Sequence, residues 1–283
     1  MTFGSRFDAA RQAYGPLCVG IDPHASVLES WGLDVSFTGL EQFAETCVEA
    51  FAGHVGFVKP QSAFFERFGS RGVQVLEWLL QQFRHTGTLT ILDVKRGDIG
   101  STATAYAQAY LDDDAPMAAD AVTVSPYLGF GSLDPFFAEA ERNDAGVFVL
   151  ALTSNPEGPE FQHAVVGDGH TVAGSVLAQL RTLNAGAEPI GSFGAVVGAT
   201  IGGTGEDLDI NGPLLVPGFG AQGGTVDDIA ELFADVSHAV LPSSSRGVLK
   251  AGPEVDSLRS VAARINAELV VSQPAQDTTS DTE

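Results

Sequence analysis

Short apolar runs rich in β-branched residues recur along the chain, and segments with the apolar spacing of helices separate them. Eight of these runs are predicted to be strands, at residues 17–22, 55–59, 88–95, 121–126, 147–154, 194–200, 214–218 and 239–244. Each is followed by a predicted helix, at about residues 38–52, 71–86, 101–111, 133–142, 171–184, 204–209, 225–235 and 254–269. Apolar strands that alternate with helices are typical of a parallel sheet covered on both faces.

The number of strand–helix units decides between two parallel architectures. Eight units fit a closed (β/α)8 barrel, the TIM barrel, better than an open doubly wound sheet. The predicted fold class is therefore α/β, with one barrel domain over residues 1–270 and a disordered acidic tail over 271–283. The polar segment 157–170 follows the fifth strand, where a loop would lie over the barrel mouth as a lid.

The composition indicates a globular protein, with 44% hydrophobic and 18% charged residues. The longest apolar runs are too short to cross a bilayer, and the N-terminal segment contains no apolar signal core. We therefore expect a cytoplasmic protein. Cys18 and Cys47 are too few for a disulfide framework and lack the spacing of a metal site, so we expect both to be reduced.

The charge balance narrows the possible partners. There are 36 acidic and 14 basic residues, which gives a net charge of −22. Such a chain repels nucleic acids and anionic membranes, so we expect neither as a partner. An acidic surface of this kind is typical of adaptation to high salt, where it keeps a protein hydrated and soluble.

Lysine is rare in this chain, and its positions are informative. The three lysines are Lys59, Lys95 and Lys250. Lys59 ends the second predicted strand and Lys95 ends the third, within the segment LDVKRGDIGST at 92–102. Because catalytic residues of a (β/α)8 barrel lie at the carboxyl ends of its strands, both lysines are candidates for chemistry.

Alternating charges surround these strand ends. Asp93 and Lys95 are two residues apart on a predicted strand, so both side chains should face the barrel interior. Buried charges need partners, and an array of Lys59, Asp93, Lys95 and Asp98 would supply them. A charged lysine beside a charged aspartate suits a substrate that loses a carboxylate and then needs a proton. A salt-bridged turn is the alternative, but Asp22 and Lys59 at neighbouring strand ends favour a reaction centre.

The loops after the seventh and eighth strands have the features of a phosphate site. PGFGAQGGT, at 217–225, is rich in glycine and precedes a predicted helix, so its backbone N–H groups are available to an anion. Arg246 follows the eighth strand and suits bidentate phosphate binding. These two loops are the usual phosphate-binding position of the barrel.

The segment DVKRGDIGST resembles the D-x-K-x-x-D-I-x-x-T signature of the orotidine 5′-phosphate decarboxylase family. KRGDIGST is especially similar to the longer-chain bacterial and archaeal branch (type 2). VGIDPH, FVKPQSAFFE, LTSNP, VVGAT, VPGFGAQGG and SSSRG follow in the order of that family, so the resemblance covers roughly residues 10–250. It implies decarboxylation of orotidine 5′-phosphate to UMP in pyrimidine biosynthesis, by a homodimer without cofactor or metal.

The resemblance also implies a role for individual residues. The implied catalytic residues are Lys95 as proton donor to C6, Asp93 against the departing carboxylate, Lys59 between Asp93 and the ribose, and Asp98 reaching into the neighbouring subunit. The implied substrate-binding residues are Asp22 at a ribose hydroxyl, Ile99 and Thr102 beside Asp98, Ser154 at the pyrimidine, Pro217, and Gln222 and Arg246 at the phosphate.

Two other functions compete with this one. A metal-dependent sugar-phosphate lyase or decarboxylase of the same barrel superfamily would need a further carboxylate at a strand end, but the second strand ends in Lys59. A barrel that only binds a phosphate ligand would not need the charged array, although two of the three lysines fall within it.

Overall fold

The computed structural model describes residues 1–167, 169–220 and 223–271. Eight parallel strands pair in sequence order, and β1 pairs with β8 to close a barrel. The strands are β1 Cys18–Ile21, β2 Phe57–Pro60, β3 Leu89–Arg96, β4 Ala121–Val124, β5 Gly146–Leu152, β6 Phe193–Val197, β7 Leu214–Pro217 and β8 Val240–Ser244. The predicted (β/α)8 barrel is confirmed, and the open doubly wound sheet is excluded.

Helices surround this barrel and connect its strands. They are α1 Phe3–Tyr14, α2 Ala25–Ser30, α3 Phe37–Phe51, α4 Ser62–Glu66, α5 Gly69–Phe83, α6 Gly100–Leu111, α7 Asp134–Arg142, α8 Gly158–Gln162, α9 Val172–Leu183, α10 Val226–Leu232, α11 Arg246–Leu249 and α12 Val255–Val271. Short 3₁₀ turns occupy Phe130–Leu133 and Ala234–Ala239. None of these helices has the length and apolar character that a membrane crossing requires. Apart from Val271, the predicted tail at 271–283 lies outside the described residues.

The helix predicted at 204–209 is wrong. This segment after β6 is an irregular loop, in which Gly202 and Gly205 have φ angles of +69° and +67°. The side chain of Glu206 accepts a hydrogen bond from Thr171 Oγ1 over 2.6 Å, which fixes it to the start of α9. Glycine conformations and a side-chain anchor therefore replace the helix expected for this βα unit.

α1 was not predicted, and it closes the amino-terminal end of the barrel. Thr2 caps this helix by accepting a hydrogen bond from Ser5 N. Phe3 packs edge to face on Phe148 at 6.0 Å between ring centroids, and Phe7 lies 5.1 Å from Phe57. These aromatic side chains fill the barrel interior at this end, so the carboxyl ends of the strands are the expected position of a ligand site.

Candidate active site

The end of β3 departs from regular strand geometry. Leu92 pairs with Val122 and Arg96 with Val124, so three residues of β3 lie opposite the single residue Thr123 of β4. Within this bulge Lys95 has a φ angle of +47°, in the left-handed region that costs a non-glycine residue energy. Regular strand geometry therefore does not extend from Asp93 to Lys95. The bulge still brings the two side chains together inside the barrel.

Threonine 123 on β4 holds this bulge in place. Its Oγ1 accepts a hydrogen bond from the backbone N–H of Lys95 over 3.0 Å and donates one to Asp93 Oδ1 over 2.8 Å. Gly97 then turns the chain where a Cβ atom would lie 2.4 Å from the carbonyl oxygen of Ser125. Glycine is thus required within KRGD, and a hydroxyl on the next strand fixes the strained backbone.

Asp93 is the centre of a buried ion-pair network. Lys59 Nζ lies 2.8 Å from Asp93 Oδ2, and Lys95 Nζ lies 2.5 Å from Asp93 Oδ1. The side chains of Lys59 and Asp93 are 6% and 7% exposed, whereas that of Lys95 is 43% exposed. The predicted array is therefore confirmed for these three residues. Two of them are sealed in the barrel, and the third faces the cavity and solvent.

This network keeps the aspartate ionised. Burial alone would raise the pKa of Asp93, but the charges of Lys59 and Lys95 outweigh it and hold the pKa well below the ordinary value of 3.8. Burial would likewise lower the pKa of Lys59, yet Asp93 and then Asp22 outweigh it and raise that pKa above 10.5. The site therefore presents fixed charges of both signs at neutral pH.

A cavity of about 670 Å³ opens over this network at the carboxyl ends of the strands. Its size lies in the range of small-molecule sites. Seven of the predicted site residues line it: Asp22, Lys59, Asp93, Lys95, Ser154, Pro217 and Arg246. The cavity thus joins the charged network at one side to the predicted phosphate loop at the other.

Three predicted residues within the described ranges are not part of this arrangement. Asp98 makes no ion pair within the described chain, and its Oδ1 accepts a hydrogen bond from Ile99 N over 2.8 Å. Ile99 is 61% exposed, and Thr102 is exposed on α6. The pairing of Asp98 with the lysines is therefore wrong within one chain. Gln222 lies outside the described residues.

Several cavity residues were not predicted. Thr123 was missed because threonine is ordinary in strands, although it is the one polar residue among the apolar residues of β4. His24 and Phe64 also line the cavity, with their rings 4.1 Å apart. His24 lies between β1 and α2, and Phe64 lies in α4 after β2. The order of the strands around the barrel is the signal that would have found them.

The predicted lid segment contains α8, which is tied to the end of β5. Gln162 Oε1 accepts a hydrogen bond from Thr153 N over 2.9 Å, and Gln162 Nε2 donates one to Thr153 Oγ1 over 2.6 Å. Gln162 and Thr153 both line the cavity. The segment 157–170 is thus partly helical and contacts the site, while its role as a moving lid stays a prediction.

A second cavity, of about 720 Å³, has a different character. It lies between the loop after β6 and α10, and no lysine or arginine lines it. Six acidic residues do: Glu206, Asp207, Asp209, Asp228, Glu231 and Asp235. An anionic substrate would be repelled there, so the cavity over Asp93 is the better candidate.

Across the described ranges, no group of three or more His, Cys, Asp or Glu residues is arranged to hold a metal ion.

Comparison with known proteins shows which family this chain resembles. The model of the orotidine 5′-phosphate decarboxylase / HUMPS family matches residues 15–261. The chain belongs to this family. The match spans all eight strands and every predicted site residue, Gln222 included.

Individual relatives are similar over nearly the whole chain. A protein of Nocardioides sp. named orotidine 5′-phosphate decarboxylase is 62% identical over 270 residues, which cover 94% of this chain and 98% of the relative. One of the same name from Streptomyces coelicolor is 58% identical over 268 residues, covering 94% and 96%. A crystal structure described as this decarboxylase, from Streptomyces avermitilis, has a TM-score of 0.95 and 56% identity, covering 97% and 96%.

Proposed function

We propose that this chain is a carboxy-lyase that converts orotidine 5′-phosphate to UMP and CO₂ in pyrimidine biosynthesis. The observation that carries the proposal is the buried carboxylate of Asp93 between Lys59 and Lys95, facing a cavity with Arg246 at its other side. Relatives that are 58–62% identical have the name of this activity. The alternative function is that of a metal-dependent sugar-phosphate lyase or decarboxylase. The sequence identity to these relatives and the position of Lys59 at the end of β2 both disfavour it.

The cavity suggests how the nucleotide lies. Arg246 and the loop that begins at Pro217 would bind the phosphate, together with Gln222. Asp22 is 8% exposed, and its Oδ1 has no hydrogen-bond partner in the described part of the chain, which suits a ribose hydroxyl as donor. Ser154 would then hydrogen-bond the pyrimidine. This orientation directs C6 and its carboxylate towards Asp93.

The reaction follows from the fixed charges. The substrate carboxylate would lie against the ionised Asp93, and its bond to C6 breaks so that the electron pair stays on C6 as CO₂ leaves. The ammonium of Lys95 stabilises this charge and transfers a proton from Nζ to C6, which gives UMP. The neutral lysine regains a proton from water.

The different exposure of Lys59 and Lys95 supports different roles for them, with Lys95 as the proton donor and Lys59 as a fixed charge. Lys95 is 43% exposed and can exchange protons with solvent, while Lys59 is 6% exposed and held to Asp93. Lys59 therefore suits a fixed positive charge that orients Asp93 and the ribose. Binding energy from the phosphate and ribose would be used to bring the carboxylate to Asp93, so that the enzyme favours the transition state.

A homodimer would complete each site. We infer that Asp98, Ile99 and Thr102 reach the cavity of the neighbouring subunit. Ile99 and Thr102 are exposed and Asp98 is partly exposed on one chain, which supports this, as does the exposed apolar surface of Tyr127 and Leu128, which are 72% and 52% exposed. The active site is thus proposed to be shared across the interface.

A cytoplasmic location fits the state of the cysteines. Cys18 and Cys47 are both free and buried. Burial raises the pKa of the Cys18 thiol to about 12 and that of Cys47 well above 9.0, so both are unreactive. Free thiols are typical of a reducing compartment.

The test is loss of the orotate absorbance when the purified protein meets orotidine 5′-phosphate, with a chelator present and at low and high salt. Turnover that resists the chelator is the expected result, because no step of the mechanism uses a metal. Folded protein without turnover at any salt, but active on a sugar phosphate with magnesium, would establish the alternative function instead.

A further inference from the structure

A separate cavity of about 510 Å³ lies on the outer side of β8 and adjoins the active site. We call it the outer cavity. It lies among α2, α11 and α12, and its polar lining consists of three cations, one acid and three hydroxyls: Arg246, Lys250, Arg264, Glu268, Ser26, Ser30 and Ser244. Arg246 lines both this cavity and the one over Asp93, so the predicted phosphate-binding guanidinium lies at their boundary.

An unpaired hydroxyl lies in the wall of the outer cavity. Ser243 lines the active-site cavity, and alternation along the strand directs Ser244 to the opposite face of the sheet. Ser244 is 1% exposed, and its Oγ has no hydrogen-bond partner among the residues described. Gly247 leaves room beside it, since a Cβ atom there would lie 2.5 Å from Ser244 Oγ. A buried hydroxyl of this kind suits a polar ligand.

The charges of the outer cavity favour an anion. Arg246 and Lys250 are four residues apart on α11 and directly after it, where like charges repel each other. Neither side chain forms an ion pair within the described ranges, although the chain has 36 acidic residues and only 14 basic ones. Only Arg264 is neutralised, by Glu268 at 2.9 Å. Arg246 and Lys250 are both exposed, so their charges are available to an anionic ligand.

We propose that the outer cavity binds a phosphate group next to the phosphate held in the active site. The ligand class is a uridine nucleotide with two or three phosphates, whose base and first phosphate occupy the cavity over Asp93. Arg246 would contact both phosphates with its planar guanidinium, and Lys250 and Ser244 would bind the distal one. The inference rests on the proposed function. Free inorganic phosphate is the other source of the same chemistry.

The consequence is inhibition by nucleotides that carry more phosphates than the product. The experiment measures inhibition constants of UMP, UDP and UTP against orotidine 5′-phosphate, and their dissociation constants by calorimetry. We expect UDP or UTP to bind about tenfold more tightly than UMP, as one additional charged hydrogen-bonding site allows. Equal binding of the three nucleotides would overturn the proposal.

Variants locate the effect. Lys250→Ala and Ser244→Ala should each remove most of the preference for UDP or UTP, while UMP binding in Lys250→Ala stays as in the wild type. Arg67→Ala removes an exposed cation that lines neither cavity, so it controls for net charge. A preference that survives in Lys250→Ala would contradict the site. A preference that falls by the same amount in Arg67→Ala as in Lys250→Ala would assign it to general electrostatics and would also contradict the site.

Inorganic phosphate distinguishes the two sources. Phosphate that binds the UMP-saturated protein and requires Lys250 would identify the free ion as the occupant of the same cavity. No binding of phosphate together with no preference for UDP or UTP would leave the cavity without a ligand and overturn the inference. Calorimetry reads the nucleotide preference without turnover, so a failure of the decarboxylase assay is separable from a failure of this site.

Discussion

At the scale of single residues, the carboxylate of Asp93 accepts hydrogen bonds from three side chains while it is almost fully buried. Lys59 and Lys95 each contribute a charge, and Thr123 contributes a hydroxyl. A buried charge without its partner costs about 3–5 kcal/mol, so each of these groups depends on the others. The strained backbone of Lys95 is stable only because this network surrounds it.

The ionisation of Asp93 makes the free energy of unfolding depend on pH. Its pKa in the folded state lies below the ordinary value, so its contribution is present above about pH 4 and is lost as pH falls through the folded-state pKa. Asp93→Asn leaves Lys59 buried without its partner and should lower the free energy of unfolding by about 3 kcal/mol at pH 7. Denaturation measured from pH 7 to 2 should show a constant difference above about pH 4 and a shrinking difference below it. A difference that stays constant down to pH 2 would contradict the charged state of Asp93.

Thr123 is expected to position Lys95 rather than to bind substrate. Thr123→Val leaves Lys95 N–H and one oxygen of Asp93 without this partner, which should lower kcat roughly tenfold or more with a smaller change in KM. Thr123→Ser retains the hydroxyl and should restore most of kcat. A Ser variant as slow as the Val variant would show that the methyl group, and hence packing, is what matters.

The sequence predicted some of these residues and not others, for a physical reason. Lys59, Asp93 and Lys95 are conspicuous because charges at the ends of apolar strands need partners. Thr123 gains its role only from the register shift between β3 and β4, which no local pattern encodes. Ser244 is informative only once strand alternation and the position of α12 are known.

At the scale of elements, the strands were predictable because continuous apolar runs suit a barrel buried on both faces. The loop after β6 was not, since its acids and spacing resemble a helix while its glycines prevent one. α8 was also not predicted, because the polar segment that contains it lacks the apolar spacing of a helix. Its attachment to β5 depends on Gln162, a residue without a sequence signature.

Gln162 is expected to hold α8 against the site. Gln162→Ala removes two hydrogen bonds to Thr153, each worth about 1 kcal/mol, and should raise KM by roughly fivefold to tenfold with less effect on kcat. Gln179→Ala is the matched control, because the Gln179 side chain bonds only within α9. Steady-state kinetics that change equally in both variants would contradict a local role for α8.

At the scale of the whole molecule, Ile99 and Thr102 lie on the exposed surface and Asp98 is partly exposed, while seven of the predicted site residues line one cavity. In a dimer with two-fold symmetry the interface is self-complementary, so each subunit would contribute Asp98, Ile99 and Thr102 to the site of the other. The single chain thus accounts for the charged network, and the proposed dimer accounts for Asp98.

Mixed dimers test the shared site. When Asp98→Ala and Lys95→Ala proteins are dissociated, mixed and re-formed, half of the dimers are mixed and one of their two sites is intact, so about a quarter of wild-type activity should return. Lys95→Ala mixed with Asp93→Asn is the control, because every site then retains one substitution and no activity should return. A verified mixed dimer without activity in the first pairing would contradict sharing.

The central claim is that Lys95 supplies the proton to C6, and one substitution tests it directly. Lys95→Ala should lower turnover of orotidine 5′-phosphate by at least about 1,000-fold, because both proton transfer and charge stabilisation are lost. UMP should still bind in calorimetry, which shows that the cavity remains folded. Decarboxylation by this variant at near the wild-type rate would contradict the account.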